Sequence, residues 1–426
     1  MVIESPKQTG STMKGPGWYR YYAGYSEAFV ESIIKQLPLT GSSVVLDPWN
    51  GAGTTTAVAS RLGYSSIGLD INPALVVVAR ARLLGRDVLP SIIPLSRDVI
   101  NKSKASKRGR IGDAALSPWF SPRTATTIAS YIDSICTLLT DKIGRKDLFY
   151  GGAVNEISSL ASLFLVSIFD VVRGGIQSAI TSNPTWVKPL KSASDKVDWD
   201  RYEVEKRFTD CLSSLCKYVI GRPEGGACGY SEITLGKAQE ISRTSADVDI
   251  AIASPPYCTR IDYVISSWPE LAVLGAQSRS DLKALRDSTT GSPTTVPLTF
   301  KDTSAWGDTA NDFLDKLSRH PSKASQTYYT RFYSKYFSDI SDSLKRLNNI
   351  VSANANLFLV VQGSNYKELN IDLPKIISEM SVCVGWTLNQ RTDFHVKNNM
   401  AKVRYSALGK DIEPVNKESV LHFSKA

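Results

Sequence analysis

A short β-branched apolar run, Ser43-Val44-Val45-Leu46-Asp47, predicts a buried strand that stops at Pro48. The chain then turns through Asn50-Gly51-Ala52-Gly53 into Thr54–Leu62, a predicted helix closed by Gly63. A second strand, Ser66-Ile67-Gly68-Leu69, ends on Asp70, and Asn72-Pro73 opens a further helix through Ala74–Leu84 to Gly85. Upstream, Tyr25–Leu37 reads as a helix capped by Ser26, with Phe29, Ile33 and Ile34 on one face. Strand, glycine turn, helix, strand, acid, helix is the opening of a doubly wound, parallel α/β sheet.

From Arg86 the pattern changes. Asn101–Gly112 reads as a basic, serine-containing loop carrying Lys102, Lys104, Lys107, Arg108 and Arg110. Helical periodicity follows around Arg123–Leu139, Ile157–Val172 and Trp199–Val219, which predicts a mostly helical insertion. Strand patterning returns at Ile233–Leu235 and at Val248–Ala253, where it stops at Ser254-Pro255-Pro256-Tyr257. Ser278 to about Gln326 is polar, with the turn signal Gly291-Ser292-Pro293. A helix over Tyr328–Leu347, a strand over Leu357–Val361 and an apolar run at Val420–Phe423 complete the chain. The expected division is 18–98 as the first half of a core, 99–230 as the insertion, and 231–426 as the second half with a polar insertion at 278–326.

At 426 residues the chain has room for two to three units, or for one large α/β domain with insertions. Hydrophobic residues at 42% exclude a disordered chain. The +9 balance, from 50 Lys+Arg against 41 Asp+Glu, favours a polyanionic partner without establishing one. Ile157–Phe169, between Glu156 and Asp170, is too short to span a bilayer, and the first ten residues lack an apolar signal core. The six cysteines form no CxxC pair and only three histidines are present, so no metal site is expected. A reduced, cytoplasmic protein without a membrane partner is the expectation.

Glycines after a strand let the backbone approach a ligand, and the following helix N-terminus favours polar groups. Asp47 ends the strand, and Thr54 and Thr55 stand where hydroxyls would cap the helix. Asp70, at the end of the next strand, is placed to take both hydroxyls of a ribose. A dinucleotide site would have a third glycine at position 56, which is Thr56, and no GxxxxGK[ST] pattern occurs. A ligand with a ribose and no phosphate fits, of which S-adenosylmethionine is the common one.

Two prolines directly after a buried strand cannot continue a ladder and hold the loop extended. Ser254 offers a hydroxyl, Pro255 a carbonyl and Tyr257 a flat aromatic face, a set suited to a planar base with an exocyclic amine. Such an amine is a poor nucleophile because its lone pair is delocalised into the ring. Two acceptors that draw its hydrogens out of plane localise that pair, and in-line attack on a sulfonium methyl then rests mainly on positioning. Cys258 follows a tyrosine rather than a proline and reads as packing.

Val44–Thr56 (VVLDPWNGAGTTT) together with Asp249–Tyr257 (DIAIASPPY) resembles the amino-methyltransferases of DNA, with their DPFxGxGTT and [DNS]PP[YFW] motifs. Gly24–Ile34 is similar to that family's N-terminal cofactor helix, and Leu235–Ile241 to the stretch before its catalytic strand, with Lys237 where the family often has an acid. The resemblance covers roughly 20–98, 232–275 and 328–424. It implies a Rossmann-like class I methyltransferase sheet. It implies S-adenosylmethionine held by Tyr25, Asp47, Pro48, Asn50, Gly51, Gly53, Thr54, Thr55, Asp70, Ile71 and Asn72, with Glu27 near the cofactor as well. Catalysis falls to Ser254, Pro255, Pro256 and Tyr257 on a base flipped out of double-stranded DNA. The serine form of the loop resembles the cytosine-N4 branch, with adenine-N6 transfer, RNA base methylation or an inactive nucleic-acid-binding module as alternatives. Lys102, Lys104, Lys107, Arg108, Arg110 and Arg260 are the candidate nucleic-acid contacts, Arg260 alternatively bracing the loop with Asp262. Trp186 and Lys188, beside an NPTW turn, are further candidates, and a cognate restriction endonuclease is a possible partner.

Overall fold

The computed structural model describes residues 1–7, 18–19, 24–105, 112–179, 186–222, 228–242, 248–258, 261–293, 303–395 and 417–425. Strand β1 (Val44–Asp47) is buried at all four positions. It lies inside the sheet, parallel to β2 (Ser65–Asp70) on one side and β4 (Val248–Ala253) on the other. A strand covered on both faces has no polar alternation, which is why its sequence is a continuous apolar run. Beyond β2 lies β3 (Ser231–Leu235), and beyond β4 lies β5 (Val351–Gln362). After a separate hairpin of β6 (Ser364–Tyr366) and β7 (Leu369–Ile371), β8 (Trp386–His395) and β9 (Lys417–Lys425) complete the seven-stranded order β3-β2-β1-β4-β5-β9-β8. Within the seven-stranded sheet the β9 pairings are antiparallel and the others parallel. This is the doubly wound, Rossmann-like α/β sheet expected from the sequence. Its order reverses between β1 and β4, and such switch points open a crevice at the carboxyl ends of the strands.

Helix α1 (Glu27–Gln36) starts at Ser26, whose hydroxyl accepts from Phe29 N, and buries Phe29, Val30, Ile33 and Ile34. These side chains share a core with Val45, Ile250, Ile252 and Phe358 on one face of the sheet. After α2 (Thr54–Arg61), α3 (Pro73–Arg82) is buried nearly all round. An all-round apolar helix needs cover on every side, and α3 has the sheet on one flank and α7 (Ser159–Gly175) on the other. The helices α4 (Leu89–Ala105), α5 (Pro122–Leu139), α6 (Arg145–Tyr150) and α8 (Arg201–Gly221) build one continuous core with α3 and α7. The short helices α9 (Tyr263–Ser266), α10 (Trp268–Leu274) and α11 (Asp281–Ser288) follow the proline loop. The other face of the sheet is covered by α12 (Asp308–Ser318), α13 (Thr330–Ile350) and α14 (Leu373–Cys383).

Two expectations change. The basic loop over Asn101–Gly112 is helical as far as Ala105, because α4 continues through Pro94 and buries Ile92 and Val99 two turns apart. Its two prolines disguise the helical period. The polar stretch 278–326 contains α11 and α12, and the latter buries Ala310, Phe313 and Leu317 on one face. Among the described residues no helix is long and apolar enough to cross a membrane, and no group of His, Cys, Asp or Glu is arranged to hold a metal.

Close helix packing after β1 falls on Gly53 rather than on position 56. Gly53 has φ +78°, and a Cβ there would lie 2.8 Å from the Ala79 Cβ and 2.9 Å from its Cα. Gly53→Ala therefore adds a left-handed backbone cost to a clash with the spine of α3. Together these destabilise the fold by about 2 kcal/mol or more, read as a lower urea midpoint at an unchanged slope.

Candidate active site

Beneath the crevice lies a buried polar node. The Tyr25 hydroxyl is 2.9 Å from Asp47 Oδ2, 2.5 Å from Thr55 Oγ1 and 3.1 Å from the Ile252 carbonyl. Thr55 Oγ1 is itself 3.3 Å from Ile252 O. Four elements, the start of α1, the end of β1, α2 and the end of β4, thus meet on one hydroxyl. Asp47 also accepts from Trp49 N at 3.1 Å. Burial outweighs these hydrogen bonds and, with Asp70 nearby, pushes the Asp47 carboxyl up to about 7.

Asp70 ends β2 beside this node. Its Oδ2 accepts from Gly51 N at 2.9 Å and its Oδ1 from Asn72 N at 2.8 Å. Burial still raises it to about 6 against those two donors. Asn72 caps α3 through Ala74 N and donates to Ser267 Oγ at 3.0 Å. Gly51 lies at φ +50°, and Asn50 N returns to Leu69 O at 2.8 Å, so the turn after β1 is fastened to the end of β2.

The proline loop faces this turn. Ser254 donates to the Val360 carbonyl at 3.1 Å, and its Oγ is 3.4 Å from the Tyr257 hydroxyl. Tyr336 donates to Pro256 O at 2.8 Å, and Tyr257 N donates to Tyr263 Oη at 3.3 Å, fixing the backbone from α13 and α9. The Tyr257 hydroxyl reaches Glu418 Oε1 at 3.3 Å. Cys258 is buried and its thiol is pushed up to about 12 by desolvation, so it is no thiolate at neutral pH.

One cleft of about 240 Å³ joins the two halves. Tyr25, Asp47, Pro48, Asn50, Gly51, Thr54, Asp70, Ile71 and Asn72 line it together with Ser254, Pro255, Pro256 and Tyr257. Gly53 and Thr55 stand behind its wall. Neither Thr54 nor Thr55 caps α2 as expected: Thr54 Oγ1 accepts from Arg82 at 3.0 Å, and Thr55 serves the node. Glu27 does not line the cleft. Its burial opposes ionisation, but Arg82, Tyr218 and Arg61 outweigh that and hold its carboxyl near 2, clamping α1 to α2, α3 and α8.

Of the candidate nucleic-acid contacts, Lys102 is exposed at the end of α4, while Lys104 pairs with Glu205 at 2.9 Å. Neither lines the cleft. Lys107, Arg108, Arg110 and Arg260 lie outside the described residues. Asp262 caps α9 and pairs with Arg286 at 2.6 Å. Trp186 and Lys188 are exposed. Lys237 does line the cleft, with its ammonium on Glu240 at 2.9 Å.

Sequence reasoning missed several lining residues: Trp49, Gln239, Tyr263, Thr289, Thr290 and Glu418. Trp49 sits inside the recognised turn and was legible there. Gln239 lies in the recognised stretch Leu235–Ile241, whereas Tyr263, Thr289, Thr290 and Glu418 come from segments whose proximity only the fold creates. Gln239 donates to Thr290 Oγ1 and to Asp339 O, both at 3.2 Å.

Residues 4–80 match the N6/N4 methylase family model, described as DNA methylase. The type II methyltransferase M.AvaI of Nostoc sp. is 21% identical over 88% of this chain and 79% of its own length. The type II methyltransferase M.BsoBI of Geobacillus stearothermophilus is 43% identical over 56 residues, 13% of this chain and 11% of that protein. Over residues 4–80 the chain is thus similar to the N6/N4 DNA methylases, and these two relatives are type II methyltransferases. Among solved structures, the rRNA methyltransferase AviRa from Streptomyces viridochromogenes covers 94% of the chain and 86% of its own at 10% identity and a TM-score of 0.29, too loose to bear on substrate. The likeness to the N6/N4 DNA methylases implies S-adenosylmethionine as the methyl donor.

The protein buries two carboxyls whose titration is pushed up, which sets the sign of their contribution to its pH dependence. Between about pH 4 and 7 the folded chain holds protons on Asp47 and Asp70 that the unfolded chain has lost, so their contribution to stability declines as pH rises through that window. Glu27 works in the opposite sense only below about pH 4.5. The thermal midpoint of the ligand-free protein is therefore expected to fall from pH 5 to pH 8, and Asp47→Asn to flatten that slope.

Proposed function

We propose that this methylase transfers a methyl group from S-adenosylmethionine to the exocyclic N4 amine of a cytosine flipped out of double-stranded DNA. The observation that carries the reading is the state of Ser254 at the cleft. Its hydroxyl lies within donating distance of Val360 O at 3.1 Å and of the Tyr257 hydroxyl at 3.4 Å, and with its proton on either it keeps lone pairs for an incoming amine.

The residues present suit the cofactor. Both oxygens of Asp70 are oriented by backbone N–H groups on the cleft wall, and each keeps a lone pair for a ribose hydroxyl. Pro48, Asn50, Gly51, Thr54, Ile71 and Asn72 form the adjoining wall, with Tyr25 and Asp47 at the other end. Gly53 allows the turn, and Thr55 holds Tyr25 in place. S-adenosylmethionine supplies an electrophilic methyl on sulfur.

This chain's residues do the rest. Ser254 Oγ and the Pro255 carbonyl accept the two amine hydrogens, drawing them from the base plane and localising the nitrogen lone pair. Pro256 holds the loop extended, and Tyr257 stacks on the base, a contact worth about 1–3 kcal/mol. Catalysis is positioning and needs no covalent nucleophile, in agreement with the neutral, buried Cys258. The serine at the head of the loop supports cytosine over adenine, since the adenine branch usually carries Asp or Asn there. The naming of M.AvaI and M.BsoBI as type II methyltransferases supports a site-specific enzyme with a cognate restriction endonuclease. The helical span 99–230 is the proposed target-recognition region, with Lys102 and its basic neighbours against phosphates.

Labelled methyl transfer to DNA followed by nucleoside analysis tests the reading, with N4-methylcytosine as the expected product. N6-methyladenine would assign the adenine reading. Cofactor binding without transfer to any DNA would assign a binding module. Tyr257→Ala is expected to slow transfer at least tenfold while leaving cofactor affinity within about twofold by calorimetry. An equal loss of cofactor affinity would overturn the separation of the two half-sites.

A further inference from the structure

The cleft contains a carboxylate that the proposed chemistry does not use. Glu418 enters it from β9, the strand inserted antiparallel between β5 and β8, and lies in register with Gln362 at the end of β5. Its Oε1 is 3.3 Å from the Tyr257 hydroxyl. That hydroxyl is 3.4 Å from Ser254 Oγ, which in turn is bound to Val360 O. The proline loop, β5 and β9 are thereby joined in one polar line along the base-binding wall.

Glu418 has no salt bridge within 4.0 Å among the described residues, and its side chain is half-buried. Its charged neighbour is Lys7, which favours the ionised form, as does the phenol of Tyr257. Burial opposes both and raises its carboxyl.

Tyr257 N donates to Tyr263 Oη at 3.3 Å, which holds the backbone and not the ring, so the orientation of the ring rests on its hydroxyl, which meets Ser254 Oγ and Glu418 Oε1. An anchor at the hydroxyl removes the ring's freedom to turn. Stacking then begins from a ring already in its working plane, which is what pre-organisation requires.

We infer that Glu418 is a positioning residue, whose carboxylate holds the Tyr257 hydroxyl and so sets the plane of the ring against which the target base stacks. This rests on the proposed base-transfer reaction. A glutamine at 418 keeps an acceptor oxygen for the phenol; an alanine keeps none.

A double-mutant cycle on the full-length protein tests it, with single-turnover methyl transfer to DNA at saturating cofactor as the rate. Glu418→Ala and Tyr257→Phe are each expected to slow transfer about tenfold, and the double variant to be no slower than the slower single one. Glu418→Gln is expected to stay within about threefold of wild type, and cofactor affinity and thermal midpoint to be unchanged throughout. A double variant slowed about a hundredfold, the product of the two single effects, would overturn the inference, because Glu418 would then act independently of the phenol. An unaffected Glu418→Ala would overturn it equally. If the wild type, with cofactor bound, transfers no methyl to DNA, the underlying reading fails and this inference with it; an active wild type with an additive cycle sinks the inference alone.

Discussion

The structure depends on the convergence of Tyr25, Asp47, Thr55 and the Ile252 carbonyl at buried positions beside the cleft. Each brings a polar atom that would cost free energy if left alone there. Together they satisfy one another, and the consequence is geometric. Ile252 stands two residues before Ser254, whereas Asp47 and Thr55 flank the glycine turn, so the node fastens the cofactor turn to the proline loop across about two hundred residues of sequence. A shift of either half breaks at least one of these bonds. The raised carboxyl of Asp47 is the electrostatic consequence of packing so many oxygens away from solvent.

Around that node the sheet order does the remaining work. The chain leaves the core after α3, builds α4 to α8, and returns at β3 on the far side of β2. Those helices are no loose appendage, since α3 and α7 share a core and Arg80 reaches across to the carbonyls of Ile157 at 2.8 Å and Ile233 at 3.1 Å. β9 then closes the sheet from the opposite direction and delivers Glu418 to the cleft. The site is therefore assembled from α1, the ends of β1, β2 and β4, the end of β5, and a strand near the end of the chain.

Much of this was legible because the signals are local. The apolar run of β1, the positive-φ glycines, Asp70 at the end of β2 and the paired prolines after β4 each follow from the backbone conformation that their own residues permit. Where a signal was misread, a local cue had two uses. Thr54 and Thr55 have the chemistry of helix caps, yet one is taken by Arg82 and the other by Tyr25. Glu27 has the right place in sequence for a ligand contact, but two arginines on neighbouring helices claim it. The prolines of α4 look like breaks and are absorbed near the start of a helix.

The sequence by itself determined the strands and helices around the two motifs and their order along the chain, because each depends on neighbours within a few residues. Only the tertiary structure decided which side chains share the cleft. Thr290 and Glu418 carry no motif of their own, and Glu418 meets Tyr257 across 161 residues. Their placement is a property of strand order and packing, in which residues remote in sequence become neighbours because burying the apolar faces of the sheet leaves them nowhere else to lie.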